Sequence, residues 1–337
     1  MPDIDIKSLR CPSCGASWRM LVLEYDGKIR CVQCKEVFTV GYGIKYGYPR
    51  LPIARRLKAY VMLCRPFTLL APLVAGFIGT LLPLIDKGLP IASRLSNAIF
   101  VGVTLALLQA VGQITNQICD IEADAINKPY RPLPRGEITI AEAWSLAWLL
   151  AVIGLCRAFL CGFTFGFFAI LLLVMAVFYN IPPRLKRRAW LGNIWLGISR
   201  GFIPLLATWS IYGSLNNSFP YLVGGLAGLW VMALNVTKDL PDVEGDRKVG
   251  DITLPVKYGV EKTIRIIRGL AFLPFAFIAV ASLVDSRMLV FFGLAPVGVL
   301  ALLGFKIKIM TENTLSWAAF YGGLALIYVL SLIAVSI

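Results

Sequence analysis

From Pro66 onward the apolar residues of this chain fall in long, unbroken runs, without the alternation of a half-buried strand. A helix needs about 20 predominantly apolar residues to cross a bilayer. On that measure nine spans are predicted: 67–85, 97–116, 140–157, 158–179, 190–211, 219–237, 269–284, 288–305 and 315–337. The third and fourth spans meet near Arg157, and the seventh and eighth near Asp285–Arg287, with no room for a long loop at either place. Helical hairpins are expected there. The pattern predicts an all-α, multi-pass membrane bundle of nine transmembrane helices.

The pattern changes upstream. Residues 1–45 hold four cysteines among mixed charges, and residues 46–66 form a basic, interfacial linker with Arg50, Arg55, Arg56, Lys58 and Arg65, preceded by Lys45. The chain therefore divides into a four-cysteine module (1–45), a linker (46–66) and a membrane domain (67–337). Composition agrees: 58% of the 337 residues are hydrophobic and 15% charged, against roughly 45–50% and 25% for soluble domains. The formal charge of +14 is unevenly spread. The loops after spans 2, 4, 6 and 8 carry sixteen Lys and Arg, those after spans 1, 3, 5 and 7 only Lys87, Arg94, Arg157 and Arg287. The positive-inside rule then sets the N-terminus and the even-numbered loops in the cytosol of a cell-membrane protein. Basic residues beside spans argue against nucleic acid as the partner.

The chain has no histidine. This excludes a Ser-His-Asp triad, a His-ligated metal and a His proton shuttle. It also leaves cysteine as the metal ligand of the N-terminal module. Cys11-Pro-Ser-Cys14 and Cys31-Val-Gln-Cys34 are two C-x2-C knuckles with sixteen residues between them, a spacing that closes a tetrahedral, structural Zn²⁺ site of zinc-ribbon type. Forty residues bury little core, so the metal is expected to hold the module together. The module then docks a protein partner or covers the cytosolic mouth of the bundle.

Two acidic series mark the cytosolic ends of spans 2 and 6. Asn116, Asp120 and Asp124 recur every fourth residue and share a helix face. Asn235, Asp239, Asp242 and Asp246 also share a face if the helix continues, although Pro241 can end it and put Asp242 and Asp246 on a separate short helix. Each series leads into a basic loop with prolines, and together they suggest a weak internal duplication with opposed acidic faces. Carboxylates without His or Cys suit a hard cation, Mg²⁺ above all, which one or two carboxylates hold together with phosphate oxygens. Lys128, Arg131, Arg135, Lys238, Arg247 and Lys248 can neutralise the rest of a diphosphate. An apolar bundle beside such a site suits a long lipid tail. An ion- or lipid-coupled transporter is the alternative of another class, but transport carboxylates usually sit near the midplane. Arg200, inside span 5, could reach the diphosphate, hold an anionic acceptor, or serve a helix carbonyl or Glu142. Tyr179 at the end of span 4 could be functional or an interfacial aromatic.

Over residues 60–337 the sequence resembles the UbiA-type intramembrane prenyltransferases. Their N-x3-D-x3-D signature matches Asn116, Asp120 and Asp124; their D-x3-D signature matches Asp242 and Asp246, extended by Asp239. The resemblance implies that these acids bind Mg²⁺ and the diphosphate of an allylic polyprenyl donor such as geranylgeranyl diphosphate. It also implies that Lys128 and Arg131 touch that diphosphate. Tyr179 with Lys186 resembles a third signature, here with the lysine seven residues on rather than four. The implied activity is transfer of the prenyl group to an aromatic quinone precursor or a lipid hydroxyl. Asn116-Gln117 and Lys238–Asp246 look like homogentisate prenyltransferases, whereas Tyr130-Arg131-Pro-Leu-Pro is closer to chlorophyll synthases and digeranylgeranylglyceryl phosphate synthases.

Overall fold

In hydrocarbon every backbone N–H and C=O must find its partner inside the chain, so long apolar runs fold as helices. The computed structural model describes residues 10–11, 13–18, 21–23, 29–38, 53–128, 130–303 and 314–337. Lys45, Arg50, Lys306 and Lys308 lie outside the described residues. Seven helices among those described are long and apolar enough to cross a membrane: Pro66–Asp86, Ala92–Cys119, Ile140–Cys161, Phe163–Asn180, Phe219–Asp239, Val260–Ala281 and Ala318–Ser336. Two further expected spans differ in form. Ala189–Gly197 and Ile203–Trp209 are α-helices joined by one π-turn, Ile198–Phe202. The apolar helix Ser286–Leu302 is shorter than the others.

Expected boundaries also move: the seventh span, expected from 269, lies in helix Val260–Ala281, so Lys262, Arg265 and Arg268 are helical and not loop residues, and the third span ends later than expected. Helix Ile140–Cys161 runs through Arg157 and stops at Gly162, whose φ of 142° is open only to glycine without strain. Arg157 is no loop residue. It donates to Thr104 Oγ1 at 3.1 Å and to Phe100 O at 2.9 Å, with its guanidinium over the Phe100 ring. Burying the charge against carbonyl, hydroxyl and ring lets the helix continue past it.

The chain forms two compact units. The first comprises residues 1–66 and 113–148. It opens with an antiparallel three-stranded sheet, β1 (Leu21–Leu23), β2 (Ile29–Cys31) and β3 (Val37–Phe38), with Leu21 opposite Cys31 and Ile29 opposite Phe38. Helix α1 (Ile53–Cys64) follows, its Ile53, Leu57 and Val61 exposed along one stripe. Its polar face is tied down: Arg55 pairs with Glu137, Arg56 with Glu142, and Tyr60 donates to Glu142 Oε1 at 3.1 Å. Glu142 also accepts from the Thr139 backbone N–H at 2.8 Å while Thr139 Oγ1 caps the Glu142 N–H, a capping box that starts helix Ile140–Cys161.

The second unit comprises residues 67–112 and 149–337. Its core is aromatic: Trp209, Trp230, Phe219, Phe291 and Tyr328 are fully buried. The buried indoles keep their hydrogen bonds, Trp230 Nε1 to Phe320 O at 3.0 Å and Trp209 Nε1 to Ser214 O at 3.1 Å. Helices close where glycine removes a side chain. A Cβ on Gly201 would come within 2.5 Å of the Ala227 carbonyl, and one on Gly323 within 2.0 Å of the Trp230 ring. The adjacent Gly322 faces open space. Gly323→Ala should therefore lower the thermal midpoint in detergent, an overpacking cost of about 1–3 kcal/mol. Gly322→Ala, with the same gain in helix propensity, should leave it unchanged or raise it.

Candidate active site

The first carboxylate series belongs to the first unit. Helix α2 (Pro66–Asp86) and helix α3 (Leu95–Cys119) precede it, and α3 ends one residue before Asp120. Asp120 occupies the junction, at φ −111° and ψ 13°, and opens the seven-residue helix α4 (Ile121–Asn127). The fourfold spacing survives this break: Asp120 N–H donates to Asn116 O, Asp124 N–H to Asp120 O and Lys128 N–H to Asp124 O, at 2.7–3.0 Å. The Asp120 carboxylate does not cap the helix; its Oδ2 accepts from Asn116 Nδ2 at 2.7 Å. Asp124 is buried and ion-paired with buried Arg131, which the turn Arg131 N–H to Lys128 O brings back over α4. Burial lifts the Asp124 carboxyl above the usual carboxylate range, against the pull of Arg131 and Lys128. Arg135 pairs with Glu137 at 3.2 Å.

The second series belongs to the second unit and repeats this construction. Helix α5 (Ile140–Cys161), α6 (Phe163–Asn180), α7 (Ala189–Gly197), α8 (Ile203–Trp209) and α9 (Phe219–Leu234) precede it. Helix α9 tightens into a 3₁₀ turn, Asn235–Asp239, and Pro241 ends the run. Asp242 takes the junction at φ −96° and ψ 1°, again without capping, and opens the seven-residue α10 (Val243–Val249). Asp246 N–H donates to Asp242 O at 3.0 Å. The matched stretches read Asp-Ile-Glu-Ala-Asp (120–124) and Asp-Val-Glu-Gly-Asp (242–246). In both, the aspartates occupy the same junction and fourth helical position, and the exposed Glu122 and Glu244 the position between. The likeness of the two stretches thus goes beyond spacing to local backbone geometry.

Lys238 joins this second series to a distant helix. Its Nζ donates to the hydroxyl of buried Tyr179 at 3.0 Å and sits 3.2 Å from Asp239 Oδ1. Arg200, on the π-turn, lies within electrostatic range of Lys238. Asn235 is buried, and its Nδ2 has no hydrogen-bond partner. Lys186 sits in the 3₁₀ turn Leu185–Arg187, half-buried, and Arg247 and Lys248 are exposed, the latter paired with Glu244 at 2.8 Å. Sequence reading missed two neighbours. Buried Asp251 pairs with Arg187 and donates its N–H to Asp246 O at 2.9 Å; Thr253 Oγ1 donates to Asp246 Oδ2 at 3.3 Å. The signal for Asp251 was an acid just past the glycine that ends α10, where the αL turn at Gly250 (φ 77°) folds the chain back.

Both donor sets suit a hard divalent cation with phosphate oxygens: five aspartates, few of them spent on helix caps, and an orphaned buried amide at Asn235. The four cysteines also meet. All are free thiols, with their sulfurs within 4.8 Å of one another, Cys11 to Cys34 at 3.4 Å and Cys14 to Cys31 at 3.6 Å. A tetrahedral Zn²⁺ at about 2.3 Å from each sulfur spaces them about 3.8 Å apart. Burial pushes the Cys11 thiol up to about 11 and raises Cys14, so metal binding there must displace protons.

Burial, then repulsion from Asp239 and Asp242, pushes Asp246 up to about 7. The usual value is 3.8, so the folded chain holds this proton while the unfolded chain releases it. The contribution is present below pH 3.8 and is lost as pH rises through about 7. Divalent-free protein should therefore lose thermal stability between about pH 4 and 7, and Asp246→Asn should flatten that slope.

Comparison with known proteins bears on the family and the fold. The chain is 30% identical over 268 residues to digeranylgeranylglyceryl phosphate synthase of Thermococcus sibiricus, covering 78% of this chain and 86% of that one. It is 35% identical over 172 residues to homogentisate solanesyltransferase of Arabidopsis thaliana, covering 46% and 43%. Its fold matches that of a UbiA homolog from Archaeoglobus fulgidus bound to GPP and Mg²⁺, with a TM-score of 0.64 at 19% identity over 83% of this chain and all of the other. The UbiA prenyltransferase family model matches residues 87–333, most of the chain, and the chain belongs to the UbiA prenyltransferase family.

Proposed function

We propose that this protein transfers a polyprenyl group from an allylic diphosphate to an aromatic or lipid-hydroxyl acceptor within the membrane, releasing diphosphate. The observation that carries this reading is the repeated Asp–x3–Asp junction in a chain of the UbiA family. Asp120, Asp124, Asp239, Asp242 and Asp246 would hold Mg²⁺ and, with it, the donor's diphosphate. Bound there, Mg²⁺ supplies charge stabilisation for the leaving group. Asn116, Asn235, Lys128, Arg131, Arg135, Tyr179, Lys186, Arg200, Lys238 and Lys248 are the candidate contacts to the diphosphate or the acceptor. Lys128 and Arg131 neutralise charge as the allylic C–O bond breaks. The apolar helices keep water from the allylic cation, and the acceptor's carbon or oxygen attacks it. The acceptor's proton leaves to a carboxylate, the diphosphate or water, because the chain has no histidine.

A relative that covers most of both chains is a digeranylgeranylglyceryl phosphate synthase, which supports the lipid-hydroxyl arm. Family membership leaves the transporter reading without support. We further propose nine spans, with Ala189–Trp209 and Ser286–Leu302 as the two beyond the seven long helices, and a cytosolic N-terminus. Four cysteines within one coordination sphere support a structural Zn²⁺ in the N-terminal module.

Purified protein given geranylgeranyl diphosphate and Mg²⁺ should release diphosphate and prenylate one acceptor from a panel. The panel holds homogentisate, 4-hydroxybenzoate, a dihydroxynaphthoate and geranylgeranylglyceryl phosphate, read by mass spectrometry. Asp120→Asn or Asp246→Asn should cut transfer by about 100-fold or more while the helical circular dichroism persists; near-wild-type transfer in either would sink the scheme. Elemental analysis should find one zinc per chain, lost in Cys14→Ser.

A further inference from the structure

The zinc-type ribbon and the linker helix lie outside residues 87–333, the part that matches the family. They nevertheless form one compact unit with residues 113–148, which carry Asp120, Asp124 and Arg131. The ribbon is built from two like knuckles. In each, the residue after the second cysteine has positive φ, Gly15 at 72° and Lys35 at 65°, and donates its N–H to the carbonyl of the first cysteine at 2.8–2.9 Å. The N–H of the first cysteine closes each knuckle onto Ala16 O or Glu36 O. Ala16 and Ser17 leave the first knuckle buried, and the Ser17 N–H donates to Pro134 O at 3.2 Å.

Pro134 belongs to the loop between α4 and α5. Among its described residues this loop is built of turns: Arg135 N–H to Arg131 O, Gly136 N–H to Leu133 O and Glu137 N–H to Pro132 O. Arg131, Leu133 and Pro134 are buried in it, and Arg131 reaches Asp124. The loop is gripped again at Glu137, which pairs with Arg55 of α1 and with Arg135. A turn-only loop carrying a buried guanidinium needs outside restraint to hold that group to one place, and both grips come from the N-terminal module and its linker.

We propose that the metal-loaded ribbon is a positioning brace for the Lys128–Arg135 loop. Zinc closes the knuckles, the first knuckle holds Pro134 through the Ser17 N–H, and the loop holds Arg131 where it meets the donor's diphosphate. The ribbon thereby sets affinity for the anionic donor. This rests on the proposed diphosphate role of Arg131.

The test uses the full chain in nanodiscs, zinc-loaded, as wild type, Cys14→Ser and Ser17→Pro. Ser17→Pro deletes the N–H while keeping all four ligands, and bound zinc reports whether its ribbon still folds. Two readouts are taken: amide hydrogen exchange over residues 130–137, and the affinity for inorganic diphosphate with Mg²⁺. Both variants should exchange faster across the loop and bind diphosphate about tenfold more weakly. In an Arg131→Ala background, Ser17→Pro should cost no further affinity. Wild-type loop exchange in zinc-free Cys14→Ser overturns the brace, and so does faster exchange with unchanged affinity. If wild type itself binds no diphosphate, the functional reading of Arg131 fails, while loop exchange still decides whether the ribbon restrains it.

Discussion

Negative charge at the ends of apolar helices has to be compensated, and much of the local structure follows from how this chain does it. A carboxylate out of water costs several kcal/mol unless it is paired, hydrogen-bonded or protonated. All three solutions occur. Asp124 takes a buried ion pair with Arg131. Asp239 takes Lys238, itself held by the Tyr179 hydroxyl. Asp246, buried and then crowded by Asp239 and Asp242, has its carboxyl pushed up to about 7 and so keeps its proton.

The helix breaks serve the same end. A straight α-helix would carry the acid series onward with every backbone group paired. Instead α3 and α9 stop, a single aspartate takes the junction, and a seven-residue helix restarts. Neither junction carboxylate spends its oxygens on capping. The result is carboxylate oxygens on a short segment whose hydrogen bonds still hold the fourfold spacing.

The N-terminal module stands on different physics. Among the described residues its buried core is Cys11, Cys14, Ala16, Ile29 and Cys31, with Trp18 and Leu21 packed beside it. That is little apolar surface to hold a sheet of eight strand residues. The four cysteine sulfurs, within 4.8 Å of one another, offer metal–thiolate bonds in place of a larger core. Because α1 and the ribbon both hold the loop that bears Arg131, the module shares in the architecture of the first carboxylate series instead of hanging from it as a separate bead.

Much of this was legible along the chain. Apolar runs of about 20 residues, Asp at fourfold spacing and paired C-x2-C knuckles are local patterns, and local patterns follow from backbone period and ligand valence. The breaks at Pro241 and the separate helix for Asp242 and Asp246 were equally readable, since proline acts on its own turn. The hairpin break was misjudged by five residues, because Arg157 looks like a loop charge until Phe100 and Thr104 are seen to receive it. Tertiary structure alone decided what joins residues far apart in sequence: Lys238 with Tyr179, Asp251 with Arg187, Ser17 with Pro134. A charge at a helix end can reach several partners at similar cost from its own neighbourhood. Which one it takes depends on which distant helix packing delivers, and no local period encodes that.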